Sequence, residues 1–156
     1  MTKNDRWMRW ELKKRADRAT KRPITVAGAS ASSTNAETWS SFAAANRSKV
    51  GAGIGYALGS GIGCIDLDHC IVDGELQPWA ADILSACPDT FIEVSQSGSG
   101  LHIFGLLAES HGRNIRRGET AIEVYSTGRF IAMTGKRFKD SPARLADISE
   151  LVKSII

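Results

Sequence analysis

The sequence has few cysteines, no paired-cysteine motif and a central stretch without a single lysine or arginine. The three cysteines, Cys64, Cys70 and Cys87, are an odd number without Cys-x-x-Cys spacing. This argues against a disulfide framework and against a structural zinc site. We interpret them as small buried apolar residues in a reducing compartment. His69 adjoins Cys70, but adjacent strand residues face opposite ways and would not easily share an ion.

Long apolar runs are also missing. None approaches the length of a membrane span, and the N-terminal "MTKNDRWMRW" is too polar for a signal peptide. We therefore expect a soluble, cytoplasmic protein with no membrane partner. Neither an internal repeat nor a low-complexity tract is visible, and 156 residues are the length of one ordinary domain. A single domain is predicted over 1–156, with an N-terminal unit at 1–50, a motif-bearing sheet at 51–140 and a closing helix at 141–156.

Basic residues are unevenly distributed. Between Gly51 and Gly112 there is no Lys or Arg, while eight acids occur there. Residues 1–22 hold nine Lys or Arg against three acids, and basic residues return from Arg113 onward. An acidic middle between basic segments suits a protein that holds cations at its centre and a polyanion around them. A solvated charged face with chance clustering is the alternative interpretation.

The hydrophobic pattern predicts an α+β domain, a sheet with helices against one face. A helix is expected from about Ala36 to Asn46, with Thr34 or Asn35 as N-cap, and two more in "LQPWAADILSAC" and "DISELVKSII". "GIGYALGS" and "GIGCIDLDHCIV" are expected to pair as strands, as are "TFIEVS" and "LHIFGLL". "TAIEVYS" and "RFIAMTG" are predicted to be strands joined at "TGR".

Polar side chains recur on one face of three predicted strands. In "CIDLD", "GLHIF" and "AIEVY", the period of two sends the apolar residues inward and Asp66, Asp68, His102 and Glu123 to the opposite face. If the strands are neighbours, these side chains converge. Crowded carboxylates repel unless a cation compensates, and such oxygen ligands suit Mg²⁺ or Mn²⁺. A metal site is one interpretation, and acids on the solvent side of an edge strand are the other.

The turn "SQSGSGLH" has the composition of an anion-binding loop. Its glycines let backbone N–H groups approach an anion, its serine hydroxyls add donors, and His102 follows two residues after Gly100. A plain hairpin turn with a surface histidine would have the same composition.

Three motifs carry a resemblance to a known family. "GCIDLDH", "SQSGSGLHIF" and "AIEVYSTGRFIAMTG" closely resemble, in order and spacing, the motifs of the catalytic domain of the archaeo-eukaryotic primase superfamily, in particular the phage and plasmid primase-polymerases. Upstream, "KRPI", "ASSTNAETWSSF" and "GIGYAL" resemble the N-terminal signature of that family. The resemblance covers nearly the whole chain, roughly from Trp7 to Phe138.

The resemblance implies an RRM-like antiparallel or mixed sheet with flanking helices beside a small N-terminal α/β unit, with the active site in the cleft between them. It also implies that "RWMRWELKK" and "KRPI" form a strand pair, against the helical composition of the first segment. Family members usually continue into a helical domain and often a helicase. We therefore expect either an excised catalytic domain or a small stand-alone protein that extends primers better than it starts them.

The activity implied is that of a DNA primase and DNA polymerase, template-directed nucleotidyl transfer on single-stranded DNA by a two-metal mechanism, in phage or plasmid replication within a bacterial host. Two Mg²⁺ or Mn²⁺ ions would be held by Asp66, Asp68 and Glu123. The triphosphate of an NTP or dNTP would be held by Ser97, Gly98, Ser99, Gly100 and His102. Arg129 and Lys136 would contact nucleotide or template, unless they are ordinary surface cations.

The basic segments would guide the template strand, with Trp7 and Trp10 as stacking surfaces unless these rings are buried. The residues expected to contact nucleic acid are Lys13, Lys14, Lys21, Arg22, Arg113, Arg116 and Arg117. Two other functions use the same features: a non-catalytic module that binds single-stranded nucleic acid, and a metal-dependent nuclease or nucleotide hydrolase.

Overall fold

The computed structural model describes residues 1–156, which divide into two compact units. The first contains Met1–Leu58 and Gly128–Thr134, and the second contains Gly59–Thr127 and Gly135–Ile156. Antiparallel sheets with a few short helices make this an α+β fold, as the sequence predicts. None of the helices combines the length and the apolar character needed to cross a membrane.

The elements are short and mostly extended. The helices are α1 (Phe42–Arg47), α2 (Pro78–Ser85) and α3 (Ser149–Ile155), and a 3-10 turn covers Ala36–Thr38. The strands are β1 (Trp7–Arg15), β2 (Arg18–Ile24), β3 (Gly53–Ala57), β4 (Ile62–Leu67), β5 (Ile71–Val72), β6 (Glu75–Leu76), β7 (Ile92–Val94), β8 (Leu101–Leu106), β9 (Arg113–Arg117), β10 (Thr120–Tyr125) and β11 (Phe130–Met133).

The first unit is built on a four-stranded sheet in the order β11-β3-β1-β2. β1 pairs antiparallel with the whole of β2 from Arg9 to Arg15, which confirms the strand pair expected for "RWMRWELKK" and "KRPI". The buried ring of Trp7 anchors the start of β1, because it packs edge-on against Phe42 and Tyr56. β3 pairs with β1 only as far as Trp10, so beyond that residue β1 and β2 form a two-stranded ribbon with mostly exposed side chains.

The second unit is built on a five-stranded sheet in the order β7-β8-β4-β10-β9. One face of this sheet packs against α2 and α3. Its core contains the strand residues Ile65, Leu67, Ile103 and Ile122 together with helix residues such as Ile83 and Leu151. Strand side chains alternate, so the residues between these core positions point to the other face of the sheet. The residues of the candidate site lie on that face.

The helix expected from about Ala36 to Asn46 is wrong in its extent. Asn35 caps the 3-10 turn, as predicted, but the chain then becomes extended, and Ser41 caps a separate α1. The break occurs at Ser40, whose backbone exchanges hydrogen bonds with Trp7 at 2.7 and 3.0 Å. Pairing with β1 therefore outweighs the local helical preference.

The pairing of β3 with β4 is also wrong. Both segments are strands, but β3 lies between β11 and β1 in one sheet and β4 lies between β8 and β10 in the other. β10 and β11, consecutive in the chain, are likewise in different sheets. β7 and β8 do pair, as predicted. The period of a strand reveals which residues share a face but not which strand lies beside it.

Gly105 provides a test of how closely the segment that leads into α3 packs against the sheet. A Cβ added there would lie 2.5 Å from Cγ2 of Ile148 and 2.7 Å from the carbonyl oxygen of Ala146. Because a backbone atom cannot move aside cheaply, Gly105→Ala should lower the free energy of unfolding by about 1–3 kcal/mol. Urea unfolding followed by circular dichroism measures this change. Leu106→Ala, at a half-exposed neighbour, is the control and should cost less; equal losses would contradict the packing argument.

Candidate active site

A row of polar side chains crosses the five-stranded sheet on the face opposite the helices. Glu93 lies opposite His102, His102 opposite Asp66, Asp66 opposite Glu123, and Glu123 opposite Asn114. These five residues, the polar row, thus take one position from each of the five strands. Directly opposed residues share a face, so their side chains are neighbours. The predicted convergence of Asp66, His102 and Glu123 is confirmed as geometry.

Asp68 joins this row through an arginine. It follows the end of β4, where its backbone N–H donates to the carbonyl of Ala121 at 2.9 Å. Nη2 of Arg116 lies 3.4 Å from Oδ2 of Asp68 and 3.1 Å from Oε1 of Glu123. Asn114 holds the arrangement together, since its amide donates to Glu123 at 3.0 Å and accepts from Nε of Arg116 at 3.0 Å. Arg116, expected to contact nucleic acid, is placed here as a counter-ion for two carboxylates.

The chemistry of these carboxylates fits a hard divalent cation. Asp66, Asp68 and Glu123 offer only oxygen donors, and two of them already share one positive group. Their present side-chain positions do not form a ligand shell, since no three His, Cys, Asp or Glu side chains are gathered closely enough to hold a metal ion. The strands therefore bring suitable ligands together, and rotation of the side chains would be needed to complete a site.

Glu93 is a member of the row that the sequence reasoning missed. It is fully buried, and its two oxygens accept hydrogen bonds from Nδ1 of His102 and from the backbone N–H of Gly135, both at 2.9 Å. A carboxylate can only accept, so Nδ1 of His102 carries the hydrogen and Nε2 faces Asp66, whose Oδ1 lies 3.8 Å away. The signal was present in "FIEVS", where an acid interrupts an apolar strand as Glu123 does in "AIEVY".

The serine-rich turn, residues 95–100, joins β7 to β8 and lies beside the end of β4 in space. The hydroxyls of Ser95, Ser97 and Ser99 form a chain with spacings of 3.1 and 2.9 Å, and Gly98 has a φ of +80°. A Cβ on Gly100 would lie 2.8 Å from the carbonyl oxygen of Leu67, immediately before Asp68. The turn therefore presents hydroxyl groups close to the strand end that carries the acids.

Cys64 and Cys70 are buried, as expected of small apolar residues, whereas Cys87 is only partly buried. Cys64 shares the face of the polar row, and burial raises its pKa well above its usual value. Burial also raises the pKa values of Cys70 and Cys87 to about 11. Because thiolates are the nucleophiles and metal ligands, neutral thiols of this kind are poor at either task near pH 7. All three are free, as predicted.

The other predicted contact residues lie on several elements. Arg129 precedes β11 in the first unit, where its carbonyl accepts from the N–H of Leu58 at 2.8 Å. Lys136 belongs to the second unit, and its carbonyl accepts from the N–H of Val94, the residue after Glu93. Arg113 and Arg117 are exposed on β9.

The remaining basic residues, Lys13, Lys14, Lys21 and Arg22, lie on the ribbon of β1 and β2. Of these, Arg22 is paired with Glu11 at 3.1 Å. Trp7 and Trp10 are only 2% and 3% exposed, so the alternative interpretation holds: these rings are buried and do not offer stacking surfaces. Their rings instead complete the packing of the first unit.

Glu93 is expected to position His102. In Glu93→Gln the amide nitrogen would face one of two N–H donors, so we expect a loss of roughly 1–3 kcal/mol in the free energy of unfolding. The ring should also lose its fixed tautomer, which ¹⁵N NMR of the imidazole measures directly. Glu119→Gln, on an exposed turn, is the control. An unchanged His102 spectrum in Glu93→Gln would show that the ring is held by other contacts.

The comparisons with known proteins relate the chain to a phage protein. No family model matches the chain. The chain is similar to the DNA primase-polymerase of Nitratiruptor phage NrS-1, with 33% identity over 163 aligned positions. The alignment covers 97% of this chain and 22% of the relative, so the chain spans about a fifth of the length of that protein. The similarity relates this chain to a phage primase-polymerase.

Proposed function

We propose that this chain is the catalytic part of a DNA primase-polymerase, which extends or starts primers on single-stranded DNA from NTPs or dNTPs. The observation that carries the proposal is the register of β4 with β10, which sets Asp66 directly opposite Glu123. Asp68 is linked to the same glutamate through Arg116. The similarity to a phage primase-polymerase along 97% of the chain supports the same conclusion.

In this proposal Asp66, Asp68 and Glu123 hold two Mg²⁺ or Mn²⁺ ions. When bound, such ions lower the cost of forming the attacking 3′-oxygen and stabilise the charge of the departing pyrophosphate. The protein contributes alignment, because rigid strands fix the carboxylates and a misplaced ligand would lose much of the rate. Since strand pairing sets their backbone positions, the side chains need to change only their rotamers to bind the ions.

The triphosphate would lie along the serine-rich turn. The hydroxyls of Ser97 and Ser99 and the backbone N–H groups of Gly98 and Gly100 are donors suited to phosphate oxygens. His102 would donate to the same group from Nε2 in its doubly protonated form, since Nδ1 already donates to Glu93. Arg129 and Lys136 are further candidates for contact with nucleotide or template.

Template DNA would be held mainly by positive charge. The ribbon of β1 and β2 carries Lys13, Lys14, Lys21 and Arg22 on exposed or half-exposed positions, and β9 adds Arg113 and Arg117. Such contacts to phosphate attract any sequence and weaken with salt. A helicase or a helical primase domain is the partner expected for a complete replication cycle in the cytoplasm of a bacterial host.

Replacing the aspartates tests the catalytic part of the proposal. Asp66→Asn and Asp68→Asn should each reduce Mn²⁺-dependent primer extension by at least about a hundredfold, because each removes a charged ligand from the site. Extension of a labelled primer on single-stranded template measures this. Asp73→Asn is the matched control, since Asp73 is exposed in a turn at φ +52°, a conformation that asparagine accepts.

Other results would favour other functions. Metal-dependent shortening of the labelled strand, or release of phosphate from nucleotides without extension, would indicate a nuclease or a hydrolase. If the intact protein incorporates nothing even with primer and Mn²⁺, and Asp66→Asn tightens DNA binding in chelator, the chain is a binding module and the proposal fails.

The ribbon is tested by salt dependence. Replacing Lys13, Lys14 and Lys21 together by Gln should weaken single-stranded DNA binding and reduce the slope of log K against log salt by about 0.7 for each phosphate that is no longer neutralised. Fluorescence anisotropy at several salt concentrations measures both quantities. A control that replaces Lys3 and Lys49, exposed residues outside the ribbon, should change the slope less. Equal slopes in wild type and the ribbon variant would remove the ribbon from the DNA-binding surface.

A further inference from the structure

Arg116 is held on the carboxylates by a closed set of contacts. Its Nη2 lies between Asp68 and Glu123, at 3.4 and 3.1 Å, and its Nε donates to Asn114 at 3.0 Å. Asn114 donates in turn to Glu123, so the amide and the guanidinium bind the same oxygen, Oε1. Since β10 pairs with β9, Asn114 and Arg116 lie on the same face as the polar row.

The electrostatic role of this arginine follows from its neighbours. Asp68 and Glu123 repel each other, and a shared cation removes most of that cost. A guanidinium neutralises charge but donates only hydrogen bonds, and it has no lone pair to share with a metal ion. An ion that binds Oδ2 of Asp68 or Oε1 of Glu123 would meet a positive group at the same oxygens. The two cations therefore exclude each other.

Release of the arginine costs little. Its side chain is 52% exposed, so the guanidinium can turn into water without becoming a buried unpaired charge. Ion pairs of this exposure contribute modestly, because solvent screens them. A divalent ion can therefore displace the guanidinium of Arg116 from Asp68 and Glu123. The competition should still weaken metal binding by a measurable amount.

We infer that Arg116 is a resident counter-ion that competes with divalent metal for Asp68 and Glu123 and must leave when metal binds. This inference rests on the proposed function, since it assumes that the carboxylates are metal ligands. It gives Arg116 a role that its position on a basic strand does not suggest. In the metal-free protein the arginine prevents the repulsion that the two acids would otherwise suffer.

Binding of Mn²⁺ alone, without nucleotide or DNA, tests the inference. Arg116→Gln should bind Mn²⁺ about three- to tenfold more tightly than wild type, from the modest strength of exposed ion pairs. Arg116→Lys should stay near wild type because the competing charge remains. Arg117→Gln is the matched control, since it removes the same charge from the next residue, which faces away from the row. Electron paramagnetic resonance of free Mn²⁺ measures the affinity.

Thermal unfolding in chelator adds a second measurement. Arg116→Gln should unfold at a lower temperature than Arg117→Gln, and Mn²⁺ should raise its unfolding temperature by more than that of wild type. Both results are expected because the variant leaves the negative charges of Asp68 and Glu123 without their shared arginine, so the two acids repel each other until Mn²⁺ binds. A variant that fails to fold would be detected here, and Asn114→Ala, which removes a contact that holds the guanidinium, would then carry the comparison, with tighter Mn²⁺ binding than Arg117→Gln as its expected result.

The results separate the inference from the proposed function. If wild type binds Mn²⁺, Asp68→Asn with Glu123→Gln abolishes that binding, and Arg116→Gln binds no more tightly than Arg117→Gln, the inference fails and the metal site stands. Weaker binding by Arg116→Gln would likewise overturn it, since the arginine would then support the metal. If wild type binds no Mn²⁺ at these carboxylates, both the inference and the two-metal mechanism fail.

Discussion

The candidate site depends on the register of β4 between its two neighbours. Asp66 is opposite His102 on one side and Glu123 on the other, and each pairing is fixed by the antiparallel ladder. A slip of one residue would turn Asp66 toward α2 and α3 and expose Ile65 or Leu67. The apolar packing of Ile65 and Leu67 against the helices is therefore what holds the acids in position. The alternation of side chains along β4 thus places apolar residues in the core and acids in the candidate site.

A row of acids on one face is costly, and the structure distributes compensating groups along it. Glu93 is fully buried but accepts from His102 and from Gly135. Nε2 of His102 also lies 3.8 Å from Oδ1 of Asp66, and Arg116 bridges Asp68 and Glu123. Each charged group thus has a partner from an adjacent strand or turn. These partners explain how the sheet can carry three carboxylates in one row, although β4, β7 and β8 contain no lysine or arginine.

Part of this arrangement could be predicted from the sequence. The period of two in "CIDLD", "GLHIF" and "AIEVY" correctly grouped Asp66, His102 and Glu123, because alternation is a local property of a strand. The partners of each strand are not local. β3 was assigned the wrong neighbour, β4, because the chain passes from one sheet to the other between these two strands. Glu93 was missed although the pairing of β7 with β8 was predicted, because its importance depends on the register that sets it opposite His102.

Arg116 shows where sequence reasoning ends for a different reason. Its charge and its basic neighbours predict contact with nucleic acid, and nothing local distinguishes it from Arg113 or Arg117. The distinction arises from the pairing of β9 with β10. Side chains alternate along β9, so Arg116 faces the polar row while Arg113 and Arg117 face the other way. An edge strand contributes a single face to the row and little to the core, where only Ile115 joins the apolar cluster. The positive charge beside Asp68 and Glu123 can therefore be moved or removed by a change in the exposed side chain of Arg116 alone. The position of Asp66, in contrast, can change only if the strands of the sheet pair in a new register.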